Sequence, residues 1–179
     1  MKLLRFGELG KEKPAALDKT GKIRDLSQHV IDFNSSTLNF GTLEKLKKLN
    51  LESLPEVPSS TRIGSCIAKP GKFLAVGLNY SDHAAETNAE IPKEPIIFNK
   101  AANCMIGPND NIILPRLSKK LDWEVEIAFV IGKDTKYINE KDASNHILGY
   151  CIVNDVSERE WQIERGGTWD KGKSGDTFG

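Results

Sequence analysis

The sequence has 179 residues, of which 39% are hydrophobic and 28% charged, and its 25 basic residues balance 25 acidic ones. A formal net charge of zero argues against a general nucleic-acid binder, and it gives no reason to expect a membrane surface as partner. No apolar run suits a signal peptide or a membrane span, so we expect a cytoplasmic protein. The cysteines Cys66, Cys104 and Cys151 include no C-x-x-C pair, which favours reduced thiols over zinc ligands.

Residues 1–70 predict a small leading α+β domain. Two short apolar-alternating runs, residues 3–6 and 22–26, predict a hairpin. The leucines that follow Thr42 recur at three-residue steps, which predicts a short amphipathic helix with Thr42 as its N-cap. The prolines and the Ser/Thr cluster of residues 55–61 predict a linker to the next domain.

Residues 71–179 predict a second domain that is mostly β. Segments rich in Val, Ile and aromatics predict strands, and two segments between them predict short helices. Ser157 and Glu160 fit a capping box for the second helix, and Gly166 and Gly167 suit its C-terminal stop. The predicted strands are 73–79, 95–100, 111–115, 123–131 and 147–154, and the predicted helices are 81–88 and 157–165.

Three carboxylates in this second domain are candidate metal ligands. Glu124 and Glu126 lie two residues apart in a predicted strand and therefore point to the same face, where they repel unless a cation or solvent intervenes. Asp155 follows another apolar strand. The alternatives are a solvated acidic edge strand for the two glutamates and a helix-capping turn for Asp155. Three oxygen ligands without His or Cys would suit Mg²⁺ first, then Mn²⁺ or Ca²⁺.

His83 and Glu86 are a candidate catalytic pair. If residues 81–88 are helical, the three-residue spacing places the imidazole and the carboxylate on one face. A histidine oriented by a carboxylate is a common general base near neutral pH. A solvent-exposed helix pair fits the same spacing equally well.

The segment Gly172-Lys173-Ser174 matches, together with Gly167, the letters of a phosphate-binding loop. We reject nucleotide binding, because the segment follows a predicted helix rather than a buried strand and Asp170 adds a negative charge. Lys173 remains either a cation near a developing enolate or an exposed loop lysine.

Several segments of residues 72–179 resemble the fumarylacetoacetate hydrolase family in sequence, order and separation. Residues 12–14 and 23–26 resemble the N-terminal domain of the bacterial subgroup that includes 2,4-diketo-3-deoxy-sugar-acid hydrolases. The segments are Val76-Gly-Leu-Asn-Tyr-Ser-Asp-His-Ala-Ala-Glu86, Pro95-Ile-Ile-Phe-Asn-Lys100, Asp122-Trp-Glu-Val-Glu126, Val130-Ile-Gly-Lys133, Gly149-Tyr, Asn154-Asp-Val-Ser-Glu-Arg159, Gln162 and Trp169-Asp-Lys-Gly-Lys-Ser-Gly-Asp-Thr-Phe178.

The resemblance implies a mixed β-roll, here incomplete, behind a small α+β domain, and a homodimer. It also implies a Mg²⁺ or Mn²⁺ ion that chelates a 2-oxo acid substrate. The implied roles are metal ligands for Glu124, Glu126 and Asp155, a water-activating dyad on a lid for His83 and Glu86, leaving-group stabilisation for Lys173, and substrate binding for Lys100, Arg159 and Gln162.

The expected function is metal-dependent hydrolysis of a C–C bond in a 2,4-dioxo acid. Isomerase, decarboxylase and lyase activities of the same superfamily are alternatives, and Leu78, where some relatives have Arg, weakens transfer of their specificity. Family members continue for about another hundred residues, the scale of a typical domain, so we expect a further segment to be missing after Gly179. An inactive metal-binding fragment is therefore the alternative from another class.

Overall fold

A computed structural model describes all residues from Met1 to Gly179. By internal contacts the chain divides into two units. The first unit comprises Met1–Pro70, Met105–Asn111 and Val125–Val153, and the second comprises Gly71–Cys104, Ile112–Glu124 and Asn154–Gly179. The first division falls at the predicted domain boundary, whereas two later segments group with the leading residues.

The fold is a mixed α+β arrangement of short elements. The strands are β1 (Lys2–Phe6), β2 (Lys13–Leu17), β3 (Ile23–Asp25), β4 (Glu56–Val57), β5 (Ile63–Gly64), β6 (Phe73–Gly77), β7 (Ile96–Lys100), β8 (Leu121–Asp122), β9 (Val125–Ile131), β10 (Ile147–Asn154) and β11 (Ser157–Glu158). The α-helices are α1 (Phe40–Lys47), α2 (Ser81–Glu86) and α3 (Asp170–Lys173), with 3₁₀ turns at Leu51–Ser53 and Glu140–His146 and a π-turn at Glu160–Glu164. None of the helices has the length and apolar character needed to cross a bilayer.

The leading residues form a five-stranded antiparallel sheet in the order β4-β3-β2-β1-β5. The predicted hairpin is wrong in its pairing, because β2 lies between its two arms, with Ala16 opposite both Leu3 and Arg24. The residues of β2 lack the alternation of polar and apolar side chains that would have indicated a strand. The predicted linker 55–61 is also wrong, since Val57 pairs with β3 at the sheet edge.

Helix α1 confirms the predicted amphipathic helix but begins earlier than expected. Asn39, not Thr42, is the N-cap: its backbone is extended, and its side-chain oxygen accepts the Thr42 N–H at 3.0 Å. Leu46 carries the buried face of the helix into the core of this unit. That core joins Ala16, Leu26, Val30, Phe33 and Leu46.

Strands β9 and β10 pair in a two-stranded sheet. Burial alternates along β9, and the face that carries Glu126 is the more covered one. The opposite face is apolar and exposed, and the neighbouring strand β10 adds two further exposed apolar side chains. The exposed residues are Val125, Ile127, Phe129 and Ile131 on β9, with Tyr150 and Ile152 on β10.

The second unit contains two antiparallel strand pairs, β6 with β7 and β8 with β11. The predicted strand 111–115 is absent; the segment has no strand partner, and its Ile113 N–H donates to the Thr177 hydroxyl. The capping box is also wrong, because Ser157 lies in β11 and its hydroxyl donates to the Asp155 carbonyl. Gly166 and Gly167, with φ of 82° and 78°, adopt the left-handed conformation expected after a helix.

Candidate functional site

Glu124 and Asp155 in the second unit converge on one ammonium group. The Lys173 Nζ atom, at the end of α3, donates to Glu124 Oε1 at 3.0 Å and to Asp155 Oδ2 at 2.9 Å. The Asp155 backbone N–H also donates to the Glu124 carbonyl at 2.9 Å, which ties the two segments together. Lys173 is 2% exposed and Asp155 5%, so this ion pair is shielded from solvent. Lys173 is therefore a buried cation rather than an exposed loop lysine.

Lys100 holds the other side of Asp155. Its ammonium hydrogen-bonds Asp155 Oδ1, and it also donates to the Lys173 carbonyl at 2.6 Å and the Val156 carbonyl at 3.4 Å. Burial lowers the pKa of Lys100, while the charge and hydrogen bond of Asp155 act in the opposite direction. Three protein acceptors match its three N–H donors. In this conformation Lys100 therefore positions Asp155, which differs from the substrate-binding role implied by resemblance.

Arg159 extends the ionic contacts beyond Glu124. Its guanidinium lies 2.6 Å from Glu124 Oε1 and 2.8 Å from Asp122 Oδ2, and its Nη1 donates to the Gln162 side-chain oxygen at 3.1 Å. Although burial opposes it, bonding to Asp122 and Glu124 raises the pKa of Arg159. Six side chains thus form a series in which cations and carboxylates alternate. This charge chain runs Lys100, Asp155, Lys173, Glu124, Arg159 and Asp122.

Sequence analysis missed Asp122 and Glu158. Glu158 is fully buried, and its carboxylate accepts the backbone N–H groups of Lys120 and Trp161 at 2.7 and 2.8 Å and, more weakly, that of Lys119. Although desolvation opposes it, these donors lower the pKa of Glu158. The only sequence signal for either residue is its position inside a segment that resembles the family, since Arg159 is distant from Asp122 in sequence, and Lys119 and Lys120 are distant from Glu158.

An aromatic pair and a close backbone approach lie beside the charge chain. Phe98 and Trp169 meet edge to face with centroids 5.5 Å apart, and the Lys173 ammonium lies 5.1 Å from the Phe98 ring centre. A Cβ atom on Gly172 would come within 2.7 Å of the Glu158 carbonyl and 2.6 Å of the Gln162 backbone nitrogen. Glycine is therefore required for α3 to bring Lys173 to the carboxylates.

His83 and Glu86 lie on α2, which confirms the predicted helix. Glu86 is exposed and His83 half-buried, and no hydrogen bond or ion pair joins the two side chains. The turn before this helix is unusual, because Leu78 has a φ of 47°, a conformation that side chains of its size rarely adopt. The proposed dyad therefore remains a prediction on a helix that follows a strained turn.

The donor chemistry of Glu124 and Asp155 fits a hard divalent cation, because Mg²⁺ and Mn²⁺ prefer carboxylate oxygens. In this conformation the Lys173 ammonium contacts both carboxylates, and no group of three or more His, Cys, Asp or Glu side chains is arranged to hold a metal ion. Glu126, the third predicted ligand, lies half-buried on β9 in the first unit. A metal ion bound to Glu124 and Asp155 would have to compete with Lys173.

The sequence profile of the fumarylacetoacetate (FAA) hydrolase C-terminal domain matches residues 72–179. The chain belongs to the fumarylacetoacetate hydrolase family. A relative from Burkholderia ambifaria (strain MC40-6) is 53% identical over all 179 residues, and one from Burkholderia multivorans is 54% identical. Both are named only as hydrolases, without a substrate, and the chain spans 64% of their length.

Solved structures in this family carry both hydrolase and isomerase names. The fumarylacetoacetate hydrolase of Exiguobacterium antarcticum is 29% identical with a TM-score of 0.78, and the match covers 99% of this chain and 63% of that one. The 5-carboxymethyl-2-hydroxymuconate delta-isomerase of Mycobacterium smegmatis is also 29% identical, with a TM-score of 0.72 and coverages of 99% and 62%. These matches confirm the predicted fold class and place the chain in a family of enzymes.

Glu158→Gln should lower the free energy of unfolding at pH 7 by about 1–3 kcal/mol, because the amide turns an NH₂ group toward one of the buried backbone donors. The folded-state pKa of Glu158 is depressed, so its contribution is present above the unfolded value of about 4.3 and is lost as the pH falls through the folded value. Urea unfolding from pH 7 to pH 3 should therefore show the wild-type and variant stabilities converging in acid.

The matched control is Glu164→Gln, an exposed carboxylate paired with Lys120, which should change stability by less than about 0.5 kcal/mol. Equal stability of the two variants at pH 7, or a Glu158→Gln deficit unchanged at pH 3, would contradict this role for Glu158.

Proposed function

We propose that this chain supplies metal- and substrate-binding side chains of a Mg²⁺- or Mn²⁺-dependent hydrolase that cleaves a C–C bond in a 2,4-dioxo acid. The observation that carries the proposal is the convergence of Glu124 and Asp155 on one cationic group, Lys173, beneath an aromatic ring. A buried carboxylate and a half-buried one around a single positive charge are an arrangement suited to cation binding.

Glu124 and Asp155, which lie together in the second unit, would hold the metal. When bound, the metal supplies Lewis-acid polarisation of the 2-oxo group of the substrate. Lys100 keeps Asp155 in place through three hydrogen bonds, so its role is to fix the orientation of this ligand. Ca²⁺ is a weaker candidate, because it prefers more ligands than these carboxylates provide.

Lys173 and Arg159 would act on the substrate. Once displaced from the two carboxylates, the Lys173 ammonium would be free to neutralise the enolate charge that develops when the C–C bond breaks. Arg159 offers planar donors for a substrate carboxylate, and Gln162 orients it by accepting from Nη1. Lys173 and Arg159 would thus provide positive charge where the reaction develops negative charge.

His83 would take the proton from the attacking water, and Glu86 would orient its imidazole. The two side chains lie on the same short helix but do not contact each other in this conformation. Closure of this segment over the substrate would therefore have to bring the two side chains together, as lid segments do when they exclude water.

Isomerisation is the second candidate, because structures with similar folds are named isomerases, among them the 2-hydroxyhepta-2,4-diene-1,7-dioate isomerase of Mycobacterium marinum at 29% identity. Keto–enol isomerisation would develop the same enolate charge beside Lys173 but would need no activated water. Isomerisation therefore would not require His83 and Glu86 to meet, and the two side chains do not contact each other in this structure. We propose in either case a cytoplasmic homodimer.

The metal site is tested by thermal unfolding with and without Mn²⁺. We expect Mn²⁺ to raise the melting temperature of the wild-type chain, since a ligand that binds only the folded state stabilises it. Glu124→Gln and Asp155→Asn should each abolish the shift, because they remove an oxygen ligand charge and leave the charge chain net positive. Glu164→Gln is the matched control and should keep the shift. A Mn²⁺ shift of the same size in all four proteins would refute the site.

The reaction is tested by turnover of an acylpyruvate and of a 2-hydroxydienoate in the presence of Mg²⁺. If the chain is a hydrolase, the wild type should cleave the C–C bond. The rate of cleavage should fall at least about a hundredfold in His83→Ala, the size typical for loss of a general base. Isomerase activity that survives His83→Ala, with no C–C cleavage by the wild type, would overturn the hydrolase proposal in favour of the second candidate. No turnover of either substrate would leave only the metal-binding part of the proposal standing.

A further inference from the structure

Cys66 and Cys151 lie far apart in sequence but adjacent in the first unit. Their thiols hydrogen-bond to each other, and both side chains are half-buried, whereas Cys104 is fully buried. Nothing in the proposed reaction uses this pair. Two neighbouring thiols that solvent can reach are the usual starting point for reversible disulfide chemistry.

Each cysteine is held by a separate part of the backbone. Cys66 lies in a short turn fixed at both ends: Gly64 pairs with Arg5 of β1, and the Ala68 N–H donates to the Phe33 carbonyl at 2.7 Å. Arg5 also donates to the carbonyl of Ser65 at 3.3 Å. Cys151 is an internal residue of β10, which is hydrogen-bonded to β9. The two sulfurs are therefore juxtaposed by the fold rather than by a chance meeting of loops.

The two thiols have pKa values shifted in opposite directions. The hydrogen bond from Cys66 lowers the pKa of Cys151 to about 7, even though burial acts against it. The same hydrogen bond, together with burial, raises the pKa of Cys66, while the nearby Arg5 guanidinium acts weakly in the opposite direction. Cys151 is thus the more acidic thiol of the pair, which suits it to attack first while Cys66 resolves the mixed disulfide.

We propose that Cys66 and Cys151 form a reversible disulfide that responds to low-molecular-weight disulfides. The Cys151 thiolate attacks one sulfur of the oxidant, whose S–S bond breaks and whose other half leaves as a thiolate that takes a proton. Cys66 then loses its proton and attacks the Cys151 sulfur of the mixed disulfide, which releases the second half as a thiol. Two protein thiols are oxidised and one small disulfide is reduced to two thiols.

The bond would connect the turn after β5 to β10, the strand that leads directly into Asp155. It closes a long loop, and cross-links that close long loops restrict the unfolded chain most. Oxidation should therefore raise the melting temperature of the chain, and reduction should return it to its starting value. The proposal does not depend on the proposed function, because its readouts are covalent and thermal.

The test is incubation of the folded chain with oxidised glutathione, followed by alkylation in denaturant and peptide mapping. We expect the number of alkylated cysteines to fall from three to one, with Cys104 as the remaining free thiol and Cys66 linked to Cys151. Dithiothreitol should restore all three thiols. In Cys66→Ser the reaction should stop at a glutathione adduct on Cys151, and in Cys151→Ser the attack should be slower, because the thiolate is lost.

The wild-type peptide map decides the outcome even if a variant folds poorly. Glutathione adducts on both Cys66 and Cys151 without a link between them would overturn the proposal, and so would a link that includes Cys104. Cross-linking that proceeds as fast in urea as in buffer would also overturn it, since the fold would then contribute nothing to the pairing.

Discussion

The second unit depends on one ionic contact, the Lys173 ammonium shared by the carboxylates of Glu124 and Asp155. Burying one of these charges alone would cost several kcal/mol, so each is tolerated only because its neighbours have the opposite sign. The alternating charge chain satisfies this requirement with three cations and three carboxylates. Its formal charge is zero, so its buried members Lys100, Asp155 and Lys173 are each paired with an opposite charge, while Asp122 at its end reaches solvent.

Local backbone features place these charges. Gly172 lets α3 approach the β11 segment closely enough for Lys173 to reach its partners. The Glu158 carboxylate accepts hydrogen bonds from the backbone N–H groups of Lys120 and Trp161. Lys100 at the end of β7 bridges Asp155 and the carbonyl of Lys173. The carboxylates of Glu124 and Asp155 are therefore held in place by a surrounding set of contacts, as the proposed metal site would require of its ligands.

Sequence reasoning was most successful where a signal is local. The helix at Phe40–Lys47 follows from the spacing of its leucines, and the existence of β9 follows from its run of Val, Ile and Phe. It failed for β2, whose Lys-Pro-Ala-Ala-Leu sequence lacks alternation and whose strand identity comes from its partners. The segments that resemble the family identified Asp155 and Lys173, but spacing could not reveal that Lys173 contacts both Glu124 and Asp155. The contacts of Asp122 with Arg159 and of Cys151 with Cys66 could not be predicted either, because each partner lies far away in sequence.

We propose that the Lys173 ammonium and a metal ion compete for the position between Glu124 and Asp155. Isothermal titration of Mn²⁺ into the wild-type chain and Lys173→Met tests it directly. Removing the ammonium leaves the charge chain with a net negative charge and no competing cation, so the account predicts at least about tenfold tighter Mn²⁺ binding in the variant, or about 1.4 kcal/mol. Binding that is unchanged or weaker in Lys173→Met, in a variant that remains folded, would contradict the account.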